Sequence, residues 1–127
     1  MAVLGAEPGW LRTELYFALR RVDRAGEPVA EIELGGRTAL SDADWQGFLD
    51  EVVTPRFPEG LSVFDAYGQW KRREDGRVFG LVSKVLVVLH PASPEAEARV
   101  EAVRAEFLAR TGQESVLRGS QPINVSF

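Results

Sequence analysis

Cysteine is absent from the 127 residues and histidine occurs once. Without a thiol there is no disulfide, no thiolate zinc site and no cysteine nucleophile. The single imidazole, His90, ends an apolar run just before Pro91, a position that reads as a strand terminus and not as a general base, so a serine triad is not expected. Basic charge is also scarce: 15 Lys and Arg stand against 19 Asp and Glu, a net charge of −4, which disfavours nonspecific nucleic-acid binding. The local cluster Lys71, Arg72, Arg73 and Arg77 surrounds Glu74-Asp75-Gly76, a turn signal, and reads as a solvated hairpin end. No long hydrophobic run exists either. The opening MAVLGAEPGW has no basic n-region and is too short in apolar length for a signal peptide or anchor, so a cytoplasmic setting with no membrane partner is expected.

What is present is the composition of one globular domain spanning 1–127, with 45% hydrophobic and 27% charged residues. WLRTELYFALR alternates from residue 10 to 20 and predicts a first strand with Arg12, Glu14, Tyr16 and Arg20 on one face. The connection over 21–40 is long, and PVAEIEL within it suggests a short edge strand. Ser41 as N-cap with Asp44 three residues on opens a helix over 41–54, striped by Trp45, Phe48, Leu49, Val52 and Val53 and ended by Pro55. TPRFPEGLSVFDAYGQW, from Thr54, packs prolines, glycines and aromatics between that helix and a second strand over 61–72, and is expected to shape one wall of a cleft. Gly68 is expected to bulge that strand and re-aim Gln69 and Trp70. A third strand over 78–90 is nearly all apolar, hence central. The second helix, 94–111, carries Ser93 as N-cap, Pro94 at its first position and Gly112 as its stop. A fourth strand over 114–127 is broken by Pro122 and belongs at an edge. This order predicts an α+β ferredoxin-like β-α-β-β-α-β sandwich with strand order 4-1-3-2 and both helices on one face of an antiparallel sheet.

Several of these segments resemble a bacterial family known as domain of unknown function 3574: RTELYF (12–17), WQGFLDEVVTPRFPEGLSV (45–63), GQW (68–70), SKVLVVLHP (83–91) and QESVLR (113–118). The chain departs from that pattern in its long 21–40 connection and at Leu81, where the family often carries an acid. The resemblance implies the architecture and no activity.

Two helices cover one sheet face and leave the other open. With Val85, Val87 and Leu89 turned toward the helices, the open face would hold Arg12, Glu14 and Tyr16 from the first strand, Phe64 and Trp70 from the second, and Lys84, Leu86 and Val88 from the third. Three functions follow. The face is a homodimer interface; or Arg12 and Lys84 grip a small organic anion while Tyr16 and Gln69 hydrogen-bond it and Phe64 and Trp70 stack on it; or Glu14 acts as a base in a cofactor-independent enzyme with Arg12 stabilising an oxyanion. No metal and no organic cofactor is expected. Ser83 and Lys84 are strand neighbours on opposite faces and make no dyad.

Overall fold

The computed structural model describes residues 9–29 and 39–127. Its elements are β1 (Trp10–Val22), α1 (Asp42–Phe48) continued by a π-helical turn (Leu49–Val53), β2 (Ser62–Lys71), β3 (Val78–Pro91), α2 (Pro94–Thr111) and β4 (Leu117–Ile123). The four strands form one antiparallel sheet in the order β2-β3-β1-β4, which read from the β4 edge is 4-1-3-2. The apolar β3 is central and the Pro122-bearing β4 lies at an edge. The inferred edge strand falls largely on residues outside the described ones; within them Pro28 makes an isolated antiparallel bridge with Val22.

Both helices close on the same face. Ser41 accepts from the Asp44 amide while Asp44 accepts from the Ser41 amide, a reciprocal capping box. Ser93 caps α2 through the Ala96 amide, and Gly112, at φ 72°, ends it. Leu15, Phe17 and Leu19 of β1 meet Trp45, Phe48, Val52 and Val53 from the first helix and Val100, Val103 and Phe107 from α2 in one core. Phe17 is its hub, with ring centroids 5.1 Å from Trp45 and 4.7 Å from Phe107.

Two expectations about strand geometry are corrected. The β2–β3 register runs unbroken from Ser62↔Val87 to Lys71↔Val78, so Gly68 is no bulge. The irregularity lies in β1, where Ala18 pairs with Ser83 and Arg20 with Val82, leaving Leu19 as the extra residue. Leu19 and Arg20 therefore both turn toward the helices: Leu19 enters the core and Arg20 reaches the Leu40 carbonyl at 2.9 Å and Asp42 at 3.3 Å. Arg21 takes the open face instead, its guanidinium 5.1 Å from the Trp70 ring centroid. The phase of β3 is also the reverse of the expected one. Leu86 and Val88 pair with Leu15 and Thr13 and join the core, while Val85, Val87 and Leu89 pair with Tyr16, Glu14 and Arg12 on the open face. A strand apolar on both faces carries no signal of its phase; the partner strand's alternation sets it.

Candidate functional site

β3 outruns β2. Because β2 begins at Ser62 opposite Val87, Val88 to Pro91 have no neighbour on that side. The 54–61 loop comes alongside, with Phe57 buried in the core and 6.5 Å from the His90 ring. On the far side Trp10 meets Phe127 edge to face at 6.0 Å. Between these walls lies a cleft of about 590 Å³, floored by Phe64, Val87 and Leu89.

Three guanidinium groups, Arg12, Arg56 and Arg99, line this cleft against one carboxylate, Glu59. Arg12 donates from Nε to Glu14 at 3.0 Å. Arg56 donates to the Val52 carbonyl at 2.9 Å, where it caps the end of the π-helical turn and is held at the cleft wall. Arg99 and Glu59, both exposed, have no ion-pair or hydrogen-bond partner among the described residues. Within a protein whose net charge is −4, the cleft is a local excess of positive charge over apolar surface. Such a lining suits an anion with an apolar body.

His90 borders the cleft but is 2% exposed, and both of its ring nitrogens are hydrogen-bonded. Arg118 Nε, which can only donate, gives its proton to Ser120 Oγ at 2.9 Å. Ser120 lies 2.8 Å from Thr13 Oγ1, which lies 2.7 Å from His90 Nε2. His90 Nδ1 is 2.8 Å from the Pro91 carbonyl, which can only accept. The Nδ1 hydrogen therefore goes to Pro91, and in the neutral ring Nε2 accepts from Thr13; both ring nitrogens are engaged, and no lone pair is left for general-base work. The head of the chain is itself anchored: Arg118 pairs with Glu97 and Glu101 at 2.8 Å each, and its hydrogen bond holds the Glu97 carboxyl below the ordinary value.

Of the seven residues singled out from sequence, Arg12 and Phe64 line the cleft. Glu14 and Tyr16 stand beside Arg12 on the open face, where Tyr16 donates to Glu14 at 2.6 Å. That bond first, and the one from Arg12 second, hold the Glu14 carboxyl below its usual range, so it is a weaker base than a free glutamate. Trp70 shares their face, stacked on Phe79 at 5.3 Å, but it lies six residues along β2 from Phe64, about 20 Å at the ordinary strand rise. Gln69 pairs with Gly80 and Lys84 with Phe17, which puts both on the helix side. Lys84 forms an ion pair with Asp65 there and lies on the opposite face from Arg12. The expected single concavity is therefore not built. Sequence reasoning missed Trp10, Glu59, Arg99 and Phe127; Arg99 reads as one more charge on the solvated side of α2, and nothing local marks it as facing β3. The described residues contain no group of three or more His, Asp or Glu placed to hold a metal ion, and no helix among them is long and apolar enough to cross a membrane.

A family model described as a protein of unknown function, DUF3574, matches residues 12–127. The chain belongs to this family. The match takes in every element above except the first two residues of β1, and all but Trp10 of the described cleft lining. No curated protein matches. Among solved structures, the fold is similar to a phage SAM lyase in complex with S-methyl-5'-thioadenosine, with a TM-score of 0.54 and 13% identity over 91% of this chain and 83% of that one. At that identity the likeness is one of fold.

Proposed function

We propose that the chain acts as one ferredoxin-like domain that binds a small organic anion in the cleft between β3, the 54–61 loop and the C-terminal residues. The observation that carries this reading is the gathering of Arg12, Arg56 and Arg99 around an apolar floor, with Glu59 the one carboxylate of the described lining and Glu14 paired to Arg12 beside it. The phage lyase of similar fold, captured with S-methyl-5'-thioadenosine, supports a small-molecule role for this architecture. Carboxylates and phosphate esters screened by thermal shift and followed by calorimetry test it. At least one is expected to bind saturably, with Arg12→Ala and Arg99→Ala each weakening it by about 1.5–3 kcal/mol and Arg73→Ala, at the remote hairpin, leaving it unchanged. A panel without any arginine-dependent binding would reject the proposal.

A second reading, self-association through the open sheet face, is favoured by a separate observation. Of the six exposed large hydrophobic residues among the described ones, Tyr16, Phe64, Leu89 and Leu117 all share that face by register, a patch of the kind that marks interfaces. Acid–base catalysis by Glu14 gains no comparable support.

A further inference from the structure

We propose that two copies pack open face to open face in one register, the apolar row of each seated in a trough of the other. The inference rests on the self-association reading and adds its geometry. On the open face the strand register makes rows: Phe64, Val85, Tyr16 and Leu117 lie side by side across all four strands. The adjacent row is Ala66, Ser83 and Ala18, three short side chains beside a line of bulky ones. Ridge and trough are one row apart, about 7 Å along the strands.

A twofold axis lying in the interface, parallel to the rows and midway between these two, exchanges them. It sets the ridge of each copy into the trough of the other and keeps β1 over β1. This is an isologous contact that closes as a dimer. The same rotation pairs the flanking rows. The row beyond the ridge carries Glu14, and the row beyond the trough carries Arg21, so Glu14 faces the partner's Arg21. Charges of opposite sign thus meet on each side of the axis. The bulge at Leu19 is what makes this match, since unbroken alternation would have put Arg20 on this face and turned Arg21 away. The face measures roughly 20 by 30 Å from strand spacing and rise. Two such faces bury about 1,200 Å², the lower bound of stable interfaces.

Sedimentation equilibrium of the wild type, of Glu14→Lys, of Arg21→Glu and of the two variants mixed tests the register. The wild type is expected at twice the 14.0 kDa chain mass. Each variant alone sets like charges together at both contacts, and its dissociation constant should rise at least about tenfold. Mixed, the two variants repair both contacts, and a heterodimer within about threefold of the wild-type constant is expected. Ala66→Arg fills the trough without touching either charge and should also weaken the dimer about tenfold, so the proposal stands or falls even if a charge variant does not fold. A wild type that stays monomeric at about 100 µM overturns both the register and self-association. A wild-type dimer with no preference for the mixed pair, or one indifferent to Ala66→Arg, overturns this register alone.

Discussion

Glu14 accepts from both Tyr16 and Arg12, and its carboxyl is held down chiefly by the tyrosine. Tyr16→Phe should therefore raise the Glu14 pKa toward its ordinary value, read from the carboxyl carbon by NMR titration; no upward shift would mean the tyrosine bond is not made in solution. Asp75 gives a sharper case. The Arg72 guanidinium first, and the Arg77 amide next, lower its carboxyl to about 2 from an unfolded value near 3.8. A depressed acid stabilises the fold above its unfolded pKa and loses that contribution as pH falls through the folded one. The hairpin at 72–77 should hold its structure down to about pH 4 and loosen between there and about 2, a window that amide exchange of Arg77 can follow. Asp75→Asn should flatten it. Single residues were legible where the reason was local: Ser41, Ser93, Gly76 and Gly112 do what their turn and cap chemistry predicts. Lys84 was not, because its direction is settled by Phe17, a residue sixty-seven positions away in sequence that pairs with it.

The two helices were readable because caps and stripes lie within a single segment. Ser93→Ala removes the side-chain acceptor of the Ala96 amide and should cost about 1 kcal/mol in chemical denaturation. The strands were readable in place but not in phase. β1 has a clean alternation through Leu19 and Arg20 with no glycine or proline to mark its bulge, and the bulge arises where core packing draws Leu19 and Val22 to the same side. Gly68, which looks like a bulge, only stands opposite Leu81, whose side chain is 3.7 Å from where its Cβ would be. Between elements the Thr13 hydroxyl is a fully buried polar tie, shared by β3 and β4 through His90 and Ser120. Thr13→Val keeps the shape and strands the His90 acceptor, so a loss of about 1–3 kcal/mol is expected; an unchanged denaturation midpoint would show that the chain of hydroxyls is not formed.

For the molecule as a whole, sequence pattern supplied the order of elements and the existence of an open face, and it could not supply the cleft. That cleft depends on a length difference, β3 passing the start of β2, and on α2 setting Arg99 above the gap, neither of which is written in any one segment. An anion bound there should raise the thermal midpoint of the wild type and not of Arg12→Ala/Arg99→Ala, since a ligand stabilises only the state that holds it. The same topology has a consequence in time. β1 is made first, yet its two edges are filled by β3, ending at Pro91, and by β4, ending at Ile123. A growing chain carries β1 without either neighbour until β3 is made, and β1 gains its second neighbour only with β4, the last of these elements. Chains stopped after Thr111 would present the Trp10–Tyr16 edge bare, a template for pairing with other chains, so truncation before β4 should be read out in aggregation before it is read out in lost stability.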